Sequence, residues 1–332
     1  MLRRIVSPLA TSQRCLTAST PSSLGVLQSR NASNTPRRAI LYIPGNDEKK
    51  LLKIEKVDAD CAVMDCEDGV ALNRKEEARS TICKMLDTLQ FGRTEAAVRV
   101  NSVSSGMAEE DLKVTLSAKY LPPTVMLPKV ENASELEWFS DKLKEVLSGR
   151  PGHPKLNLVI FVETAVGLLN LQDICARGCQ LSESGPFSLA GVVFGSDDFV
   201  ADIGATRTKD ARELMYARQK VVVVAKAFRL QAIDMVHIDF KDLDGLRQSS
   251  LEGALMGFTG KQVIHPNQVP VVQEAFSPSP EKIEWASELI KAFEEHQSSG
   301  KGAFTFRGNM IDMPLLLQAQ NIMKIAEVVS KN

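Results

Sequence analysis

Acidic residues follow two apolar, strand-like segments in the middle of this sequence, and their positions suggest a metal site. Glu163 ends the first segment, and Asp197 and Asp198 follow the second after a single Gly-Ser step. Because the carboxyl ends of neighbouring parallel strands meet at one edge of a sheet, these carboxylates can lie close together. Proteins hold Mg²⁺ with one or two such carboxylates plus water and substrate oxygens. The alternative is that these residues only begin helices, since Thr164 and Asp197 suit the N-cap position.

Strand-like and helix-like segments alternate along the chain, and this alternation predicts the elements that would hold the acids. Eight short apolar segments are predicted as strands, at 39–43, 61–64, 97–100, 125–127, 158–162, 191–194, 232–236 and 262–264. Segments with helical spacing of apolar residues lie at 47–57, 74–89, 109–118, 134–147, 209–230, 243–256 and 281–295. Repeated strand–helix units predict an α/β fold, a closed (β/α)₈ TIM barrel. An open doubly wound sheet is the alternative, but its GxGxxG fingerprint is absent.

In such a barrel the chemistry lies at the carboxyl ends of the strands, so the residues at those positions form one set. Besides the three acids above, the set contains Tyr42, Asp65, Glu67, Asp68, Arg99, Asn101, Lys129, His237, Asp239 and His265. An arginine, a lysine and several acids suit a small oxyacid bound to a cation. Structural explanations also exist, because Asp65 and Asp68 could bind turn amides and Lys129 could be a surface charge. Convergence of the set on one face favours the functional interpretation.

The amino-terminal segment differs in composition from the rest of the chain. No Asp or Glu occurs before position 47, while Ser and Thr are frequent and arginines occur at Arg3, Arg4, Arg14 and Arg30. This composition is typical of a mitochondrial transit peptide, and a basic tail without a targeting role is the alternative. We therefore expect a transit peptide at 1–36, the barrel at 37–276 and a C-terminal helical extension at 277–332.

Charge and hydropathy exclude several classes of partner. The formal net charge is −1, and it becomes −5 without the four arginines of the leader, so no nucleic-acid partner is expected. The longest apolar run, at 221–225, is far too short to span a membrane. Six cysteines without CxxC spacing predict reduced thiols rather than zinc ligands.

Longer motifs, in order along the chain, carry a resemblance to a known family. They are YIPGNDEKKLLK, MDCEDGV, VRVN, MLPKVE, FVETAVGLLN, VFGSDDF, KQVIHPNQ and GAFTFRGNMIDMP. Together they resemble the citrate lyase β-subunit and malyl-CoA lyase family of Mg²⁺-dependent acyl-CoA lyases, over nearly all of the chain after the leader. The resemblance implies a barrel with a C-terminal lid and, by analogy, a homotrimer. Combined with the leader, it implies an enzyme of the mitochondrial matrix.

The resemblance also implies roles for individual residues. The metal ligands fall on Glu163 and Asp198, an arginine that holds substrate oxygens falls on Arg99, and the catalytic acid of the MID motif falls on Asp312. The residues that meet CoA are Tyr42, Lys49, Lys53, Ile264 and His265. Relatives usually carry a GxED form where this chain has GSDD, which leaves the role of Asp197 open.

The reaction that the resemblance implies is cleavage of citramalyl-CoA into acetyl-CoA and pyruvate, with condensation of acetyl-CoA and glyoxylate as a side activity. The expected partners are an acyl-CoA thioester and a small α-keto acid, with Mg²⁺ as cofactor. One alternative is an aldolase of related fold that acts on hydroxy-keto acids without CoA. Another is a non-catalytic CoA-binding component of a larger complex. The motifs do not choose among citramalyl, malyl and citryl thioesters.

Two of these assignments depend on where their elements lie. Lys49 and Lys53 are four residues apart, so on one helix face both could reach phosphates, but a solvated helix face has the same pattern. Asp312 lies beyond the eighth strand and reaches a barrel mouth only by folding back or by covering that of a neighbouring subunit. It could instead be the N-cap of the last helix, before Met313 and Pro314.

Overall fold

A computed structural model of the protein describes residues 35–298 and 304–330, so nearly all of the predicted leader lies outside it. In this part of the chain eight parallel strands pair in chain order, and the last pairs with the first. The predicted closed barrel is therefore confirmed. The strands are β1 (Ala39–Pro44), β2 (Cys61–Asp65), β3 (Glu95–Arg99), β4 (Thr124–Leu127), β5 (Leu156–Val162), β6 (Phe187–Phe194), β7 (Gln231–Asp234) and β8 (Gly260–Val263).

Helices connect the strands and surround the barrel. They are α1 (Glu48–Leu51), α2 (Lys75–Thr88), α3 (Ala108–Thr115), α4 (Ala133–Leu147), α5 (Ala165–Ser184), α6 (Ser196–Asp202), α7 (Met215–Ala227), α8 (Leu243–Met256) and α9 (Gln268–Ala275). Beyond the barrel lie α10 (Pro280–Ser298), a hairpin of β9 (Phe304–Phe306) and β10 (Asn309–Ile311), and α11 (Met313–Ser330). No helix in the described residues is long and apolar enough to cross a membrane.

Two predicted helices are shorter than the sequence pattern indicated. The segment 47–57 forms only α1, which ends at Leu51, followed by a separate 3₁₀ turn at Ile54–Lys56. Leu51 and Ile54 are both buried, and their spacing of three residues fits a 3₁₀ turn as well as an α-helix. The segment 209–230 forms a 3₁₀ turn at Arg212–Leu214 before α7 begins at Met215. Lys49 and Lys53 therefore do not share one continuous helix face, and that expectation was wrong.

Alternating side chains of the strands form two apolar layers. The inner layer fills the barrel and contains Ile40, Cys61, Val63, Ala97, Met126, Val159, Phe161, Ala190, Val193 and Ile233. The outer layer packs the barrel against its helices, for example through Phe139 and Phe187, whose rings meet edge to face. Each such buried side chain contributes roughly 1.5–3 kcal/mol. The two layers make the barrel a rigid support for the loops at its carboxyl end.

The amino-terminal end of the barrel is closed by a buried ion pair. Arg37 is 1% exposed and donates to both carboxylate oxygens of Glu95, over 2.5 and 2.7 Å. It also donates to the side chains of Thr124 and Gln231, which lie on β4 and β7. Because these contacts join distant strands at the end opposite the loops that follow the strands, we assign them to stability.

The C-terminal extension has a small apolar cluster of its own, separate from the two barrel layers. Its buried members are Ala286, Leu289, Ile311, Leu316 and Ala319, from α10, β10 and α11. The two helices and the hairpin therefore support one another. Such a unit can present a surface to another molecule without disturbing the barrel.

Candidate active site

At the carboxyl ends of the strands, acids from separate parts of the chain meet around one residue, Lys129. Its ammonium lies 2.8 Å from Glu67, 3.3 Å from Asp68 and 3.6 Å from Asp198. Its backbone N–H donates to Oε2 of Glu163 over 2.8 Å. Lys129 follows β4, whereas the acids follow β2, β5 and β6. The structure therefore brings together side chains that are up to 131 positions apart in the sequence.

Glu163 is a buried carboxylate with an unbalanced charge. It is 3% exposed, and burial together with the negative charges of Glu67 and Asp198 raises its pKa to about 8. A Cβ at position 195 would collide with Oε1, so Gly195 is needed beside it. In the described residues no hydrogen-bond donor contacts this oxygen. In the metal-free protein this group therefore keeps its proton near neutral pH, and a cation beside Oε1 would stabilise its ionised form.

Lys129 is held in a backbone conformation that is unusual for lysine. Its φ is +53°, in the left-handed region that favours glycine and asparagine. Burial alone would lower the pKa of its ammonium, but the hydrogen bond to Glu67 and the charges of Asp68 and Asp198 raise that pKa well above its ordinary value. Lys129 is therefore charged at any physiological pH. The expectation that it could be a plain surface charge does not fit these contacts.

Arg99 and Asp65 form a buried pair next to the acids. Nε and Nη2 of Arg99 each donate to a different oxygen of Asp65 over 2.7 Å, and Nη1 lies 2.8 Å from Glu67. The guanidinium also lies 5.1 Å above the ring centroid of Tyr42. Asp65 accepts the N–H groups of Glu67 and Gly69 as well, so it binds turn amides as the sequence suggested. Asp65 thus fixes both Arg99 and the loop that carries Glu67.

The two acids of the GSDD motif differ in environment. Asp198 faces the ammonium of Lys129, whereas the side chain of Asp197 is 54% exposed and only 3.9 Å from Arg207. Thr164 is the N-cap of α5, since its hydroxyl accepts the N–H of Gly167. The N-cap of α6 is Gly195, so the N-cap explanation for Asp197 was wrong.

The chemistry of two of these acids fits a hard divalent cation. In the described part of the chain no group of three His, Cys, Asp or Glu side chains forms a ready-made metal site. Glu163 and Asp198 would supply two carboxylates, and Mg²⁺ commonly takes one or two from a protein. The remaining ligands are then water or substrate oxygens. The free oxygen of Glu163 and its raised pKa support this fit.

The residues expected to meet CoA lie on β1 and β8 or just beyond them, and these two strands are neighbours in the barrel. Lys49 and Lys53 are exposed. Ile264 is 44% exposed, and the ring of His265 stacks on Phe240 with 4.9 Å between centroids. Burial raises the pKa of the Tyr42 hydroxyl well above its ordinary value, so this phenol stays neutral.

Asp312 lies in the C-terminal extension and is the N-cap of α11. Its Oδ1 accepts the N–H of Leu315 over 3.2 Å. The residue is exposed, and exposed apolar side chains surround it in the sequence: Met310 at 77%, Met313 at 54% and Leu317 at 52%. Asp312 therefore does cap α11, as one of the two interpretations predicted. The exposed apolar side chains around it also suit contact with another protein surface.

Two polar residues near the carboxyl ends of the strands were not identified from the sequence. Lys75, on the first turn of α2, donates to the carbonyls of Cys66 and Glu67 and to Asn101. Arg207 donates to the thioether of Met235, and its Nη1 has no hydrogen-bond partner. No strand end marks either position, so the pattern used for the other residues could not find them.

Comparisons with known proteins agree with this geometry. The HpcH/HpaI aldolase/citrate lyase family matches residues 38–266. The chain is similar to the mitochondrial citramalyl-CoA lyase of Homo sapiens, with 58% identity over 308 residues, 93% of this chain and 91% of the relative. It is also similar to the solved structure of CitE from Mycobacterium tuberculosis with magnesium, acetoacetate and coenzyme A. That match has a TM-score of 0.70 and 30% identity, covering 89% of this chain and all of that one. A CitE structure with magnesium and pyruvate has a TM-score of 0.62 and 26% identity, with coverage of 87% and 98%.

Proposed function

Since this chain belongs to the HpcH/HpaI aldolase/citrate lyase family, we propose that it is a Mg²⁺-dependent carbon–carbon lyase that cleaves citramalyl-CoA into acetyl-CoA and pyruvate. The observation that carries the proposal is the 58% identity with the human citramalyl-CoA lyase over 93% of this chain. The acids around Lys129 supply the matching chemistry. Condensation of acetyl-CoA with glyoxylate is the side activity that we add to the proposal.

The metal ligands in this proposal are Glu163 and Asp198. When bound, Mg²⁺ polarises the carbonyl that the keto acid carries and stabilises the charge that develops on its oxygen. The chain holds Glu163 ready for this task through the N–H of Lys129, which occupies Oε2 and leaves Oε1 available. The space beside Oε1 is kept by Gly195.

Arg99 and Asp312 carry the remaining chemistry. When the bond between the second and third carbons of the acyl chain breaks, the hydroxyl on the third carbon loses its proton to solvent and becomes the carbonyl of the α-keto acid, and the bonding electrons form the enolate of acetyl-CoA. Arg99 is permanently charged and is fixed by Asp65, so its remaining N–H groups can donate to developing oxyanion charge. Asp312 returns a proton to the terminal carbon of the enolate, and in condensation it removes that proton.

The nucleotide end of CoA is assigned to the side of the barrel formed by β1 and β8. Lys49 and Lys53 are exposed lysines that can reach phosphate oxygens, although they sit on separate short turns. Ile264 and His265, together with Tyr42, offer apolar and aromatic surface to the rest of the carrier. The contacts of Lys49 and Lys53 lie away from the bond that breaks, so they bind ground state and transition state alike.

The C-terminal extension acts as a lid in this proposal, and Asp312 serves the barrel of a neighbouring subunit in a homotrimer. The separate apolar cluster of the extension and the exposed Met310 and Met313 support such a contact. We also propose the division into a leader at 1–36, a barrel at 37–276 and an extension at 277–332. The human relative is mitochondrial, and we place this protein in the mitochondrial matrix.

A thioester assay with purified protein and Mg²⁺ tests the proposal. Citramalyl-CoA should give acetyl-CoA and pyruvate, with slower turnover of malyl-CoA and citryl-CoA. A CoA-free hydroxy-keto acid should not react, which separates the proposal from an aldolase of related fold. Turnover by the isolated chain also excludes a purely non-catalytic role. Failure to form acetyl-CoA and pyruvate from citramalyl-CoA in the presence of Mg²⁺ would overturn the proposal.

A further inference from the structure

The position of Lys129 is unusual for a site that binds a divalent cation. Its ammonium reaches Asp198, one of the two proposed metal ligands, while its N–H holds Glu163, the other. A positive charge in this place opposes a metal ion, and a positive φ is unfavourable for lysine. The chain therefore keeps, at some conformational cost, a residue that a simple metal site would not need.

The contacts of the ammonium differ in length, and the order is informative. The contact with Glu67 is 2.8 Å, those with Asp68 are 3.3 and 3.4 Å, and that with Asp198 is 3.6 Å. The contact with the proposed metal ligand is the longest, so it is the one released at least cost. Glu67 is 4% exposed and also next to Arg99, whereas the side chain of Asp198 is 43% exposed.

We propose that Lys129 is an internal counter-ion that competes with Mg²⁺ for Asp198. Its ammonium lowers the affinity for the metal, and in the metal-free protein it stabilises the group of acids at the carboxyl ends of the strands. The inference rests on the proposed metal ligands Glu163 and Asp198. When the metal enters, the ammonium gives up Asp198 and stays with Glu67 and Asp68. The backbone N–H of Lys129 keeps its hydrogen bond to Glu163 throughout, so the side chain and the backbone of one residue have separate roles.

Electrostatics give the direction of the effect. Carboxylates close together repel one another, and in the metal-free protein the ammonium of Lys129 offsets part of the repulsion among Glu67, Asp68 and Asp198. With the metal present, the same ammonium repels the ion across a short distance in a partly buried site. Removal of the ammonium therefore destabilises the metal-free state and relieves repulsion in the bound state. Both changes strengthen Mg²⁺ binding.

Calorimetric titration of Mg²⁺ into the metal-free protein tests this proposal without any assay of activity. Lys129→Gln and Lys129→Gly keep the N–H that holds Glu163 but remove the charge, and each should lower the Kd for Mg²⁺ by about tenfold or more. Lys129→Arg keeps the charge and should stay within about threefold of wild type. Lys155→Met, at the amino-terminal end of β5, removes one charge far from the mouth and should leave the Kd unchanged.

Thermal unfolding supplies a second readout. In chelator, Lys129→Gln and Lys129→Gly should unfold at a lower temperature than wild type, and saturating Mg²⁺ should close most of the gap, because the metal replaces the missing counter-ion. A purely structural lysine would instead lower the unfolding temperature equally with and without metal. Equal or weaker Mg²⁺ binding in folded Lys129→Gln would overturn the proposal.

The metal assignment itself is tested separately by Asp198→Ala. If that variant binds Mg²⁺ as wild type does, the proposed ligand is wrong, whatever the Lys129 variants do. If Asp198→Ala loses the metal and Lys129→Gln does not bind it more tightly, the metal site stands and the counter-ion role falls.

Discussion

Arg99 donates two hydrogen bonds of 2.7 Å to the two carboxylate oxygens of Asp65, and both residues are buried at the carboxyl end of neighbouring strands. The pairing is forked, so it fixes the plane of the guanidinium as well as its position. A lysine cannot reproduce that geometry, even though it keeps the charge.

We therefore expect Arg99→Lys to reduce kcat by about 100-fold, because a donor to developing oxyanion charge loses its orientation. KM should change little, and the thermal unfolding temperature should fall by only a few degrees. Steady-state kinetics with the thioester measure both parameters. Turnover within twofold of wild type would show that Arg99 does not act on the substrate.

Asp198→Ala should weaken Mg²⁺ binding by about 100-fold or more and remove most turnover while the barrel stays folded. Asp197→Ala is the matched control, since it removes an adjacent carboxylate that is exposed and 3.9 Å from Arg207. Calorimetric titration of both variants makes the comparison. If both variants lost Mg²⁺ affinity equally, Asp198 would not be the specific metal ligand of the two acids.

The raised pKa of Glu163 predicts that the stability of the metal-free protein depends on pH. Its pKa is raised to about 8, whereas an unfolded chain releases this proton near pH 4.3, as a free glutamate does. Between these values the folded state holds a proton that the unfolded state has lost. The stabilisation is therefore complete below the unfolded pKa and is lost as pH rises toward 8, by up to about 1.4 kcal/mol per unit.

Glu163→Gln removes this proton linkage. In chelator at pH 9 the variant should be more stable than wild type, and the difference should shrink as the pH falls to 6. Denaturant unfolding at a series of pH values measures the free energies. A difference that is constant with pH would contradict the raised pKa.

Lys49→Ala combined with Lys53→Ala should raise KM for the thioester by about tenfold and leave kcat nearly unchanged, because contacts far from the reacting bond act on ground and transition states alike. Lys56→Ala removes a neighbouring exposed lysine and is the control. An unchanged KM in the double variant would mean that both lysines belong only to a solvated surface.

Asp312→Asn should lower kcat by about 100-fold or more, since asparagine remains a competent N-cap but cannot transfer the proton. Stability should be close to that of wild type. Mixing this variant with inactive Asp198→Ala subunits should restore part of the activity if Asp312 serves a neighbour. If the mixed oligomers recovered no activity, Asp312 would act on the active site of its own subunit.

Local patterns in the sequence were enough to predict the barrel. All eight predicted strands are present, because alternation of apolar segments with helical segments depends on neighbours a few residues apart. The helix predicted at 243–256 matches α8 at both ends. At 47–57 the same reasoning failed, since a spacing of three residues between the buried Leu51 and Ile54 fits an α-helix and a 3₁₀ turn equally.

The sequence by itself also determined which acids stand at strand ends, since that depends only on the order of residues along each strand. Only the tertiary structure decided which of them meet. Closure of the barrel brings Glu67, which follows β2, and Glu163, which follows β5, to the same lysine. Lys129 has a left-handed backbone, and its N–H and its ammonium contact different acids. Local periodicity carries no information about such contacts. They arise because eight strands in register place every carboxyl end on one rim, where charges distant in the sequence must be balanced against one another.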